Sequence, residues 1–149
     1  MRSTVQLLLL SVGLGMTGSD CGNPAGPESL PARLTILYNG PAASNLIVPT
    51  PTVSVSAGVL TVKAATGFGS GGYELSANAS MRASGTTPAP LRIAVNAKSP
   101  QNALQILWLV VYEVEITRIP AGSYDLTLVR VDDDRPQPRV ELRQTVSIP

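Results

Sequence analysis

Residues 112–131 read Y-E-V-E-I-T-R-I-P-A-G-S-Y-D-L-T-L-V-R-V. Apolar and polar residues alternate on both sides of a short Pro-Ala-Gly turn. A period of two is typical of β-strands that bury one face in a core. The segment therefore predicts two antiparallel strands joined by a short turn.

The rest of residues 32–149 repeats this pattern. Short alternating runs are separated by Gly-, Pro-, Asn- and Ser-rich turns, and no helical period is present. The chain has 13 Gly and 13 Pro, while aromatic residues make up 4% and charged residues 14%. Strand signals roughly eight to twelve residues apart are typical of all-β sandwiches and barrels. We predict a single immunoglobulin-like β-sandwich of roughly seven to eight antiparallel strands.

Gly122 and Tyr124 mark a predicted corner between the sheets. In immunoglobulin-like sandwiches a tyrosine often opens a late strand, and its hydroxyl bonds to the backbone a few residues upstream. The G-S-Y-D-L segment at 122–126 fits this pattern, with Leu126 in the core position that follows. The alternative is an ordinary half-buried strand tyrosine.

Several segments together carry a family resemblance. The runs V-L-T-V-K-A (59–64), G-Y-E-L-S-A-N-A-S (72–80), L-R-I-A-V-N-A (91–97) and the opening of the 112–131 segment resemble small exported bacterial immunoglobulin-like domains of unassigned function. The ending V-E-L-R-Q-T-V-S-I-P (140–149) is also similar. The I-P-A-G-S-Y run resembles transthyretin-like, carboxypeptidase-regulatory-type sandwiches. Neither resemblance implies catalytic or binding residues.

The N-terminus predicts export. Arg2 gives a basic start, residues 5–14 form an apolar run, and Thr17 and Ser19 are small residues at the two positions that a signal peptidase reads. An apolar run of this length is typical of a secretory signal and too short for a membrane-spanning helix. We therefore predict a signal peptide over residues 1–19 and a periplasmic, envelope-anchored or extracellular location.

Residues 20–31 predict a flexible linker, because Pro and Gly interrupt any regular element there. Cys21 is the only cysteine, so an intramolecular disulfide is impossible. Its place after the signal resembles the lipidated cysteine of bacterial lipoproteins, although Asp20 and Gly18 depart from that motif. Cys21 is either acylated, which would anchor the domain to a membrane, or a free thiol in a leader.

The composition argues against an enzyme and against nucleic-acid binding. Because the chain has no histidine and one cysteine, Ser-His-Asp triads, Cys-His pairs and histidine or thiolate zinc sites are all excluded. A formal net charge of +1 offers no basic field for a phosphate backbone. We predict no cofactor. Four carboxylates alternate with apolar neighbours and should point to solvent: Glu74, Glu113, Glu115 and Asp125.

Two segments remain as candidate sites. Residues 132–134 are three consecutive aspartates, which predict a hairpin turn and, less favourably, a calcium site. Residues 103–111 are too apolar to alternate. One interpretation is a loop over the open end of the core with Trp108 as a plug, and the other is an exposed face whose Trp108 contacts a partner.

The sequence thus favours a non-catalytic structural or protein-binding module of the bacterial envelope or extracellular space. The alternative is a carrier that binds a small ligand or calcium through the glycine-rich segment 67–72 or the aspartate turn. The partner in the first case is an unidentified macromolecule, with protein the expected class.

Overall fold

A computed structural model describes residues 26–43, 48–82, 87–102, 105–135 and 137–149. Within these ranges the chain forms strands and no helix, which confirms the all-β prediction. There are nine strands in the described residues, slightly more than predicted. They are β1 (Glu28–Leu30), β2 (Ala32–Pro41), β3 (Thr52–Ser56), β4 (Val59–Ser70), β5 (Glu74–Met81), β6 (Ala89–Lys98), β7 (Gln105–Ile116), β8 (Gly122–Asp132) and β9 (Arg139–Ile148).

The strands form two sheets that face each other as a β-sandwich. One sheet has the order β1-β5-β6-β8-β9, and the other has the order β2-β7-β4-β3. The prediction of antiparallel strands is wrong for one pair, because β6 and β8 are parallel. The reason is that β7 lies between them in the chain but belongs to the opposite sheet, so the chain reverses twice before it returns beside β6.

The core lies between the two sheets and follows the period-two pattern. In β7 the even-numbered positions from Val110 to Ile116 are buried, and the intervening positions are half-buried. Tyr112 is fully buried although it carries a hydroxyl. The largest buried side chains come from both sheets: Tyr112, Leu60, Leu91, Ile93, Ile116, Leu126 and Leu128.

The segment that decides the fold joins the two sheets. Its halves belong to β7 in the four-stranded sheet and β8 in the five-stranded sheet, so they do not pair as a hairpin. The connection at residues 117–121 is therefore an inter-sheet turn. The backbone N–H of Thr117 donates to the carbonyl of Pro31 at 3.2 Å, where the chain also passes from β1 in one sheet to β2 in the other.

Two segments rich in Gly or Pro contain strand. The linker prediction for residues 20–31 is wrong over Glu28–Leu30, which form β1 and pair with β5. Leu30 is buried there, and this burial stabilises a short edge strand that its flanking prolines would otherwise disfavour. Likewise the glycine-rich segment 67–72 is not all loop, because β4 continues to Ser70 beside β7.

A tight turn at Ala57 and Gly58 joins β3 and β4. Ala57 and Gly58 both have positive φ, 49° and 74°. This is the conformation of the tight two-residue turns that match the twist of a hairpin. Val53 and Val55 then lie opposite Val62 and Leu60, with their side chains toward the core.

Two predictions fall outside the described residues: the signal peptide (1–19) and the lipidation of Cys21. Among the residues that are described, none belongs to a helix with the length and apolar character needed to cross a membrane.

Candidate functional site

Two oppositely charged side chains are buried at the end of β8 that lies far from Tyr124. Arg130 and Asp132 are each 6% exposed and share the inward face of the strand. Arg130 Nε lies 2.8 Å from Asp132 Oδ1, and Nη2 donates to Oδ2 at 3.0 Å. Such a pair compensates its desolvation only if the remaining donors also find partners.

The opposite sheet supplies further partners for Arg130. Its Nη1 donates to the hydroxyl of Thr66 on β4, and its guanidinium carbon lies 5.2 Å from the ring centroid of Phe68. The Phe68 ring in turn stacks on Tyr73, with centroids 3.9 Å apart and planes at 15°. Arg130 therefore links the two sheets through a hydrogen bond and a cation–π contact.

Glu141 adds a second carboxylate to this cluster. The Tyr112 hydroxyl donates to Glu141 Oε2 at 2.8 Å, and Oε1 lies 3.9 Å from Arg130 Nη1. Glu141 is the extra residue of a β-bulge, because Leu128 pairs with Leu142 whereas Val129 pairs with Val140. A bulge re-aims a side chain, and here it allows the edge strand β9 to reach the core.

Burial changes the ionisation of both partners. Desolvation raises the pKa of Glu141 above its ordinary 4.5, although the Tyr112 hydrogen bond and the Arg130 charge oppose the rise. Desolvation also raises the pKa of Tyr112, and the neighbouring Glu141 charge adds to this effect. The Tyr112 phenol therefore stays protonated and acts as the donor.

A cleft of about 500 Å³ lies beside the charged cluster. We call it the β4–β9 cleft. One wall is residues 48–51, a second is the edge of β4 at residues 65–67, and a third is residues 139–141 of β9, with Arg130 also in the lining. Its size lies within the range of small-ligand sites.

Trp108 lies in β7 and not in a loop, so the predicted loop over the core is wrong. The indole is half-buried, packs against the cluster formed by Phe68, Ala97 and Val110, and donates to Asn39 Oδ1. A Cβ on Gly71 would lie 2.7 Å from the indole, so glycine is needed there for the close approach. Trp108 therefore packs against core residues from a strand, whereas neighbouring Leu107 is 56% exposed.

The Tyr124 corner has the predicted geometry. The Tyr124 hydroxyl donates to the carbonyl of Pro120 at 2.8 Å, and the side chain is 6% exposed. Gly122 has a φ of +156°, and a Cβ there would lie 3.6 Å from the Tyr124 ring. The hydrogen bond spans the inter-sheet turn, which ties the start of β8 to the connection before it.

The aspartate run does not converge on one point. Asp132 faces inward to Arg130, whereas Asp133 is exposed and accepts from the Ser99 hydroxyl at 2.7 Å and the Ser99 N–H at 3.0 Å. These hydrogen bonds lower the pKa of Asp133. Within the described part of the chain, no group of three or more candidate ligand side chains is arranged to hold a metal ion. This geometry does not favour a calcium site.

The other predicted carboxylates lie on outward faces. Glu113 is opposite Lys63 and Glu115 is opposite Arg33 across neighbouring strands. Glu74 is exposed and lies 3.7 Å from Lys98, and Asp125 accepts a hydrogen bond from Thr145. None of these acids lines the β4–β9 cleft.

Sequence reasoning missed the charged cluster, although part of the signal was present. Tyr124, Leu126 and Leu128 establish that even-numbered positions of β8 face inward, and the same parity extends to Arg130 and Asp132. If the inward-facing parity of β8 is extended through its charged residues, it identifies Arg130 and Asp132 as a buried pair. Nothing in the sequence marks Glu141, because the bulge that re-aims it depends on the pairing of β8 with β9.

The cluster is suited to holding the sheets together more than to chemistry. Arg130 is bound by Asp132 and Thr66, and Glu141 is bound by Tyr112. Catalysis requires a nucleophile or base held within reach of a substrate, and these groups are directed at one another. Comparison of the chain with protein-family models, with curated proteins and with solved structures found no match.

Proposed function

We propose that this chain is a non-catalytic, exported β-sandwich module of the bacterial envelope or extracellular space that binds another protein. Export rests on the signal-like residues 1–19. Binding rests on one observation, the uneven outer face of the four-stranded sheet.

One half of this outer face is polar and the other half is apolar. Near the turn between β3 and β4, this face carries polar side chains that suit contact with water: Thr61, Lys63, Glu113 and Glu115. Toward the opposite end β2 and β7 present an apolar strip in their place. We define the outer apolar strip as Tyr38, Leu107, Leu109 and Val111.

The exposure of the strip supports an interface. Tyr38 is 45% exposed and Leu107 is 56% exposed, with half-buried Leu109 and Val111 beside them. A solvated antiparallel sheet normally alternates apolar-in and polar-out, whereas β7 is apolar on both faces from Ile106 to Tyr112. Contiguous exposed apolar surface is a typical mark of a protein-binding site.

Photo-crosslinking tests this function. We would place a photoreactive residue at position 107, and in a matched protein at position 54, where Ser54 is an exposed residue of the same sheet. Envelope and extracellular fractions should yield a discrete crosslinked protein from position 107 and none from position 54. That product should disappear when unlabelled wild-type protein competes, and persist when Leu107→Lys protein competes.

Two results would count against the proposal. Equal crosslinking from positions 54 and 107 would mean that the contact is non-specific. A product twice the mass of the chain, formed by purified protein alone, would identify a second copy of the chain as the occupant of the strip in place of another protein.

A further inference from the structure

The outer face of the five-stranded sheet carries polar side chains, in contrast to the apolar strip on the other sheet. Leu75, Ala77 and Ala79 of β5 pack in the core, so the intervening positions of this strand point outward. On β6 the buried positions are 91, 93, 95 and 97. The outward side chains of these two strands include Glu74, Ser76, Asn78, Ser80, Arg92, Ala94, Asn96 and Lys98.

Two adjoining cavities lie on this face. The larger has a volume of about 370 Å³, and Asn78 and Asn96 are in its lining. The smaller has a volume of about 260 Å³ and lies where β5 ends, beside Arg82. Ser80 and Arg92 line both cavities. The two cavities therefore form one groove, which we call the β5–β6 groove.

The groove is long enough for an extended ligand. Along β6 it reaches from Pro90 to Asn96, and a rise of about 3.3 Å per residue gives a length of about 20 Å. A chain of several linked units fits this length, whereas a single small ion would occupy only part of it.

Two arginines at one end of the groove have no acidic partner among the described residues. Arg82 and Arg92 are exposed and make no salt bridge within 4 Å to this part of the chain. The backbone N–H of Arg82 donates to the Pro90 carbonyl at 3.1 Å, which holds this end of β5 beside β6. Asp125 lies opposite Pro90, but it accepts a hydrogen bond from Thr145 and does not line the groove. A carboxylate of a ligand would therefore pair with these guanidinium groups without displacing an ion pair.

The middle of the groove offers neutral hydrogen-bonding groups. Within the described structure, the side-chain amides of Asn78 and Asn96 make no hydrogen bond to another protein group. Each amide has two N–H donors and a carbonyl acceptor, and Ser29 and Ser80 add hydroxyls to the same lining. Such groups suit a ligand rich in hydroxyls, since a hydroxyl both donates and accepts.

The groove is poorly suited to a peptide or a nucleic acid. β6 pairs with β5 on one side and with β8 on the other, so its backbone groups are not available to an added strand. Among the described residues that line the groove, none is aromatic. The stacking that holds single-stranded nucleic acid and the aromatic anchors typical of protein interfaces therefore have no counterpart in this lining.

We propose that the β5–β6 groove binds an acidic polysaccharide, with a sugar carboxylate paired to Arg92 and sugar hydroxyls bonded to Asn78 and Asn96. The charge of the arginine end complements the carboxylate, and the polar middle receives the hydroxyls of the neighbouring sugar units. The groove and the outer apolar strip lie on different sheets, so this site does not depend on the proposed protein contact.

A glycan array tests the specificity of the full-length chain. The array carries chains of uronic acid sugars beside neutral sugar chains of the same length, and we expect binding to the uronic acid chains alone. A chain that binds is then titrated in solution. Arg92→Gln should weaken its binding about tenfold or more, because a charge-assisted contact is lost. Asn78→Ala should weaken it about threefold, through the loss of a neutral hydrogen bond.

The matched control is Arg143→Gln. Arg143 lies opposite Thr127, which in turn lies opposite Arg92, so this change removes the same charge from the same face outside the groove. Its affinity for the chain should change less than about twofold, because salt screens separated surface charges. Both arginines are exposed, so both variants should unfold at the wild-type urea concentration.

The inference is overturned if no uronic acid chain binds, if neutral chains bind equally well, or if Arg92→Gln and Arg143→Gln weaken binding to the same extent. An acidic peptide or a single-stranded DNA that binds as tightly through Arg92 would also overturn it, because charge alone would then direct binding. Leu107→Lys protein separates this site from the proposed function, since it should bind the uronic acid chain as wild type does. Loss of that binding in Leu107→Lys protein would assign the chain to the outer apolar strip and refute the groove.

Discussion

The two halves of β8 present the same face of one strand to the core but stabilise the sandwich in different ways. Leu126 and Leu128 are 1% and 0% exposed, whereas Arg130 and Asp132 follow on the same face at 6%. The apolar half gains from area removed from water, about 2 kcal/mol for each fully buried leucine. The polar half depends on every charge having a partner.

This difference predicts how each half responds to substitution. An apolar core loses stability in proportion to the atoms removed and the cavity left behind. A buried ion pair responds to imbalance, because loss of one partner leaves the other charge buried alone. Four substitutions, each with a control or companion variant, test the comparison.

Asp132→Ala should have the largest effect. It leaves the buried Arg130 guanidinium without its principal partner, and removing one member of a buried pair lowers the free energy of unfolding by about 3–5 kcal/mol. Urea denaturation measures the loss. The double variant Arg130→Met/Asp132→Leu should lose much less, since it removes both charges together. Equal losses in the single and double variants would show that side-chain volume, and not charge balance, determines the stability of the polar half of β8.

Leu128→Ala should lower the free energy of unfolding by about 3 kcal/mol, through lost burial and a cavity between the sheets. The control is Val140→Ala, because Val140 is 50% exposed on β9 and its truncation should cost less than about 0.5 kcal/mol. Both values come from the same denaturation experiment. A loss below about 1 kcal/mol for Leu128→Ala would contradict close packing in the apolar half of β8.

Tyr124→Phe should lower the free energy of unfolding by about 1 kcal/mol, because the Pro120 carbonyl loses its hydrogen-bond donor. Tyr73→Phe is the matched control. Its ring stacks on Phe68, but no hydrogen bond of its hydroxyl is present in the described structure, so the same chemical change should be nearly neutral. Similar melting temperatures for wild type and Tyr124→Phe would remove the corner's role in stability.

Glu141→Gln should have the smallest effect, and one that depends on pH. Because the folded-state pKa of Glu141 is raised above 4.5, its stabilising contribution is fully present below the unfolded pKa. That contribution is lost as pH rises through the folded pKa. The stability of wild type relative to Glu141→Gln should therefore fall as pH rises from 4 toward neutrality, measured by urea denaturation at each pH.

Tyr112→Phe provides the companion variant for this pH profile. The Tyr112 hydroxyl lowers the pKa of Glu141, against the larger effect of burial. Its removal should therefore raise that pKa further and steepen the loss of stability with pH. If wild type instead gained stability relative to Glu141→Gln above pH 5, the attraction between Arg130 and the Glu141 carboxylate would exceed the desolvation cost of that carboxylate.

Local pattern was sufficient to predict much of this fold. The alternation around Tyr112 and Tyr124, and the turn at Ala57-Gly58, depend on residues near in sequence, and the structure agrees with both. The parallel pairing of β6 with β8 could not be predicted in this way. It depends on which sheet β7 joins, a choice made by contacts between residues far apart in sequence.

The candidate sites also differ in how far the sequence predicts them. The apolar run that contains Leu107 is visible in the sequence, but whether its residues are core or surface depends on where β7 lies in the sheet. The β4–β9 cleft has no sequence signature, since it exists because β3 is shorter than β4.

The sequence by itself determined the class of structure, since side chains that alternate every second residue can bury one face only as strands. It also excluded histidine chemistry and any disulfide within the chain. Only the tertiary structure decided that Arg130, Glu141 and Tyr112 meet. Those three residues come from three strands and two sheets, and a one-residue bulge aims Glu141 at the others. Long-range pairing sets such contacts, because burying the cluster is favourable only when all of its charges and donors arrive together.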